Sequence, residues 1–163
     1  MARTEDDARS IMPQPAHLWT VMEANLRLPS LNELLPQLRA WVVRLRTVHE
    51  EIERLTTFWG KEIDSTDNPD REQKARLDAE WENLTKRLEE AIGGLQTEGI
   101  EIKDLDSGLV DFYGLQNDEV VFLCWQRGED AVGFYHTLDG GYRTRRPIPE
   151  PTKRAPRATS GRS

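Results

Sequence analysis

From Leu31 onward the apolar residues recur on a seven-residue repeat. Leu31, Leu38, Leu45, Ile52 and Trp59 take one position, and Leu34, Trp41, Val48 and Leu55 take another three residues on, with Leu35 and Val42 beside them. Three apolar positions in seven make a stripe wider than a coiled-coil seam, which predicts a helix packed against more than one neighbour. Gly60 is placed to end that helix in the left-handed conformation, and residues 64–67 form a polar loop. Asn68-Pro69 then reopens a helix, with Asn68 as cap and Pro69 at the first helical position, where its missing amide is no loss. Leu77, Trp81, Leu84, Leu88, Ala91 and Leu95 continue the spacing. Two helices of about 28 residues, each about 40 Å long at about 1.5 Å per residue, joined by so short a loop, must lie antiparallel. Upstream, Thr20 with Glu23 and Ser30 with Glu33 each fit a capping box. Pro29 disfavours helical geometry at Leu28, so a short helix is expected to end there and the long one to begin, with Pro36 kinking it or marking its true start.

After Gly93-Gly94 and Gly99 the period shortens to two. Ile100 and Ile102, Val110 and Phe112, the run from Val120 to Trp125, and Val132 with Phe134 predict four strands. Asp106-Ser107-Gly108 and Arg127-Gly128-Glu129 supply turns, and a meander follows. The fold class is therefore α+β: a long antiparallel helical hairpin, preceded by a short helix and followed by a small antiparallel β-meander. Residues 1–17 read as a mobile arm and 18–147 as a single domain, with helices over about 20–98 and sheet over about 99–138. Residues 148–163 have no apolar period and are rich in Pro, Arg, Thr and Ser, the pattern of a disordered basic tail.

Several short blocks point to a family. Glu23-Ala24-Asn25, Leu34-Leu35-Pro36, Ile102-Lys103-Asp104-Leu105, Gly108-Leu109-Val110-Asp111-Phe112, Leu123-Cys124-Trp125, Gly128-Glu129 and Gly133-Phe134-Tyr135-His136 occur in order. Over about residues 18–147 the chain resembles the prokaryotic domain-of-unknown-function family 2203, within which residues 26–33 stand like an insertion between the first two blocks. The resemblance implies a fold outline and a domain boundary. The family has no assigned activity, so no function comes with it.

Charge alters the picture at the end of the chain. The net charge is −7, yet the segment from Tyr142 carries seven basic residues against Glu150 alone, so the rest, at −7 less +6, carries −13. An acidic body repels phosphate backbones, which argues against nucleic acid as a partner except through Arg154, Arg157 and Arg162 of the tail. One cysteine, Cys124, excludes an internal disulfide framework. With no apolar leader after Met1 and no membrane-length apolar run, a cytoplasmic protein away from the membrane is expected.

The candidate chemistry lies in the sheet. Asp104, Asp111, Glu129, His136 and Asp139 are carboxylates and an imidazole that could act as general acid and base. Asp111, Glu129 and His136 among them could ligate a divalent metal, the one cofactor the residues suggest. Against convergence, Asp104 and Asp139 sit by turns, where Asp bonds local amides. His136 joins Asp111 only in one register of the hairpin at Gly128. His49 with Glu53 reads as a solvated helix flank, and Cys124 as a small core residue whose thiol pKa burial raises.

Apolar residues also occupy both parities of the strands: Leu109, Tyr113, Val120, Phe122 and Tyr135 oppose Val110, Phe112, Val121, Leu123 and Phe134. Two helices cover one face, so the other calls for the short helix, a second subunit or a ligand, and Leu109, Val120, Phe122 and Tyr135 are the candidate interface. The favoured reading is a non-catalytic protein-interaction or ligand-binding module that self-associates, its protein partner unidentified. The alternative is a metal-dependent or acid–base enzyme.

Overall fold

The computed structural model describes residues 17–149. The expectations for the N-terminal arm, except His17, and for the tail beyond residue 149 lie outside it. Helix α1 spans Val21–Trp59 without a break. Its start follows the first capping box: the Thr20 hydroxyl accepts from the Glu23 amide at 3.2 Å and the Glu23 carboxylate accepts from the Thr20 amide at 2.9 Å. The expected short first helix and second capping box do not form. Ser30 is mid-helix, its hydroxyl donating to the Arg27 carbonyl, and both Pro29 and Pro36 lie inside α1. Tertiary burial overrides the prolines: Leu28, Leu31, Leu35 and Leu38 form one buried stripe. At about 1.5 to 3 kcal/mol each, that stripe outweighs or matches two interior prolines at about 3 kcal/mol apiece.

Gly60 ends α1 as expected, at positive φ (+57°) but with ψ −133°, outside the left-handed helical conformation. A 3₁₀ turn over Gly60–Asp64 then buries Ile63. Helix α2 spans Arg71–Thr97. Asn68 is not its cap. Its side-chain oxygen accepts from the Asp70 amide at 2.8 Å in an Asx turn, and the helix begins after Asp70, an example of local side-chain bonding competing with capping. Trp59 Nε1 donates to Asp70 Oδ2, Arg44 makes a two-pronged pair with Glu80, and Arg27 pairs with Glu98. Contacts at 59–70, 44–80 and 27–98 prove the antiparallel hairpin.

The sheet has five strands in sequence order, all antiparallel: β1 Ile100–Asp104, β2 Leu109–Gln116, β3 Glu119–Gln126, β4 Phe134–His136 and β5 Arg146–Pro147. It extends past residue 138, because β5 pairs with β4 and the Ile148 amide donates to the Gly133 carbonyl. Asn117 and Asp118, both at positive φ, make the two-residue turn between β2 and β3, the arrangement that matches strand twist. Ile100, Val110, Phe112, Val121, Leu123 and Trp125 form the core with Ala24, Leu28, Leu31, Leu35 and Leu95. Asn25 locks α1 to the sheet by accepting from the Val132 amide at 2.7 Å. Trp19 pairs with Gly114, where any side chain would sit 2.8 Å from Leu123 and 2.9 Å from the Trp19 carbonyl.

A buried Asp–Cys–His centre on the outer face of the sheet

The β2–β3 turn dictates what stands opposite what. Each β2 residue faces its mirror image across Asn117 and Asp118, so Asp111 lies opposite Cys124, and both point away from the helices. On the next strand Cys124 faces Phe134 and Phe122 faces His136. His136 therefore shares the face of Asp111, the register that the sequence required for convergence. The same register exchanges two expected neighbours. Phe134 belongs to the outer face, whereas Tyr135, opposite Leu123, packs against the helix-side core.

This outer face is largely covered by its own chain. Phe122 is 3% exposed, flanked by the rings of Tyr113 and His136 at 4.5 and 5.5 Å and capped by the Lys103 ammonium 4.5 Å from its centroid. Lys103 pairs with Glu101, which accepts a hydrogen bond from the Tyr113 hydroxyl. Burial and then Glu101 push the Tyr113 phenol up to about 12. Over Phe134 lies Arg145, its guanidinium 4.0 Å from that ring and 4.2 Å from Tyr142, with Nη2 donating to Glu129 Oε1 at 2.6 Å. Leu115 and Val120, by the hairpin tip, remain substantially bare, and Leu109 is half-buried. The expected uncovered patch is thus closed by the strand-edge lysine and by the segment leading into β5, which periodicity could not reveal.

Beneath this cover lie Asp111, Cys124 and His136, respectively 2, 0 and 3% exposed. Their ligand atoms all fall within 4.8 Å of one another. His136 Nε2 is 2.9 Å from Asp111 Oδ2, and Nδ1 is 2.8 Å from the Thr137 carbonyl. A carbonyl only accepts, so Nδ1 carries a hydrogen. The contact between Nε2 and a carboxylate oxygen then requires one further proton, shared between the two groups. Burial raises the Asp111 pKa, although the His136 charge and bonding from Cys124 pull the other way. The Cys124 thiol is pushed up to about 12 by burial first and by the Asp111 carboxylate second, against a lowering pull from Arg145. Two polar atoms here lack partners among the described residues: Asp111 Oδ1 and Arg145 Nη1.

The other sequence candidates do local work. Asp104 accepts from the Ser107 amide and hydroxyl in the β1–β2 turn, bonds that lower its pKa. Asp139 is exposed and lowered by bonding from Thr137. Glu129 is tied to Arg145 and to the Gln126 amide. His49 and Glu53 form an exposed pair at 3.3 Å. Cys124 and Arg145 are the members that residue-by-residue reasoning passed over. For Cys124 the signal lay in the Asn117-Asp118 turn, which fixes what faces Asp111; Arg145 arrives from the segment before β5, which no local pattern places.

A hairpin of two helices laid on a five-stranded meander, with an acid–thiol–imidazole centre buried on the far face, is the class of protein these features define. The family described as Uncharacterized conserved protein (DUF2203) matches residues 17–148, and the chain belongs to it. No curated protein and no solved structure matches the chain. Among the described residues no helix is long and apolar enough to cross a membrane.

Proposed function

We propose that this protein is a ligand-binding module that holds a small species in the Asp111–Cys124–His136 centre. The observation that carries the reading is Asp111 Oδ1, an enclosed carboxylate oxygen without a hydrogen-bond partner among the described residues. A buried polar atom left unpaired costs about 1 to 3 kcal/mol, so its persistence calls for something that satisfies it. The enclosure favours binding over turnover, since side chains at most 3% exposed offer no cleft to a bulky substrate. Native mass spectrometry of the full chain, as isolated and after incubation with the low-molecular-mass fraction of a cell extract, tests this. An added mass present in wild type and lost in Asp111→Asn is expected. Bare-chain masses for both proteins under both conditions would overturn it.

A second reading, self-association, is favoured by the outer half of the hairpin. There Leu45, Trp81, Leu88 and Ile92 line an open apolar groove of about 460 Å³, and Thr85 Oγ1 in its wall is buried without a partner among the described residues. A three-in-seven stripe with a single helical neighbour leaves room for a second copy of the hairpin. Sedimentation velocity of wild type and Leu88→Glu decides: a dimer that the substitution dissociates supports this reading, and a wild-type monomer at high concentration rejects it.

A further inference from the structure

Resting on the binding reading, we infer that the ligand of the buried centre is a divalent transition-metal ion of the zinc class, held by Asp111, Cys124 and His136. Four features converge on it. The donors are a thiol, an imidazole and a carboxylate, a mixed set that suits zinc or cobalt and gives magnesium and calcium, which want oxygen alone, little purchase. The imidazole is already oriented as in metal sites, with Nδ1–H tied to the Thr137 carbonyl at 2.8 Å and Nε2 turned toward the other donors. Asp111 Oδ1 is enclosed and unpartnered among the described residues. The donors stand on three adjacent strands, Asp111 and Cys124 directly opposed and His136 diagonal to them, so the sheet's hydrogen bonds fix their spacing.

Size and charge both fit. Bond lengths of about 2.0 to 2.3 Å at tetrahedral angles set donor atoms about 3.3 to 3.8 Å apart. The separations here run from 2.9 Å up to 4.8 Å, so side-chain adjustments of about 1 Å would close the set. A carboxylate, a thiolate and a neutral imidazole around a doubly charged ion sum to zero, the condition a low-dielectric interior favours. Arg145, whose charge pulls the thiol pKa down, would oppose a cation if it stood alone. Its partner Glu129, at 2.6 Å, cancels that charge. Three protein donors leave a fourth position for water or another small ligand, and Arg145 Nη1, unpartnered among the described residues, is a donor on the segment that covers the centre.

The test is titration of the reduced, chelator-stripped full chain with Co²⁺ under anaerobic conditions, followed by Zn²⁺ displacement. One equivalent of cobalt should give the intense visible bands of a tetrahedral site and a sulfur-to-cobalt charge-transfer band. Cys124→Ser should lose the charge-transfer band, and Asp111→Asn should weaken binding at least about tenfold, with far-ultraviolet circular dichroism unchanged in both. A hundredfold excess of Mg²⁺ should not compete. A folded wild type with no cobalt spectrum, or a charge-transfer band that survives Cys124→Ser, overturns the inference. If wild type gives no cobalt spectrum yet carries a non-metal adduct in native mass spectra, the metal assignment falls and the binding reading stands. A bare chain with no cobalt spectrum sinks both.

Discussion

Replacing Asp111 by two residues of similar size separates the roles of its charge and its hydrogen bond. With Nδ1–H committed to Thr137, the one proton between Nε2 and Oδ2 is what joins His136 to Asp111. Asn carries that proton permanently, because its amide nitrogen donates to Nε2 and its oxygen takes the place of Oδ1. Leu supplies no donor and leaves Nε2 stranded at 3% exposure. A stranded buried acceptor costs about 1 to 3 kcal/mol. With a urea dependence of about 2 kcal/mol per molar, Asp111→Leu should lower the unfolding midpoint by about 0.5 to 1.5 M, and Asp111→Asn by less than about 0.5 M. Equilibrium urea unfolding of the metal-free chain, followed by tryptophan fluorescence, measures both. If Asn is as damaging as Leu, a donor placed opposite Nε2 does not replace the shared proton, and the reasoning from that proton is wrong.

Cys124, fully buried with its thiol pushed up to about 12, should resist iodoacetamide at pH 8 in the native protein and react at once in urea; rapid native alkylation would contradict its placement. Leu84 is 8% exposed whereas Leu45 is only half-buried, so Leu84→Ala should cost about 2 to 5 kcal/mol and Leu45→Ala roughly half that, measured as denaturation midpoints. Equal losses would place Leu45 in a covered interface. Asp118→Gly, at φ +63°, should stabilise the β2–β3 hairpin by about 0.5 to 1 kcal/mol, seen as a higher thermal midpoint; no gain would mean that the Asp side chain supports the turn.

Much of the architecture is written in short-range signals. Heptad spacing, the Thr20–Glu23 box and Gly60 set the hairpin, and the switch to period two set the first four strands. Those features depend on groups within a turn or two along the chain, which sequence spacing reports directly. Pro29 and Pro36 show the limit. Their local penalty predicted a break, yet the leucines that outweigh it gain their energy from a sheet that begins more than 60 residues later.

The site shows the same division more sharply. Asp111 and His136 were legible as chemistry-bearing residues, but Asp104, Glu129 and Asp139 looked equally suitable, and nothing in residue type distinguished them. Strand register decided. A shift of one residue would carry His136 to the other face and bring Tyr135 to the outer one, because side chains alternate strictly along a strand. That register depends on the positive φ angles at Asn117 and Asp118 and on the path through Gly128. The sequence alone determined which residues can bind and which elements carry them. Only the tertiary structure decided which of them meet, because convergence across three strands is a property of pairing between distant segments, and burial, which tunes the thiol and the carboxyl, exists only once the segment leading into β5 has closed over them.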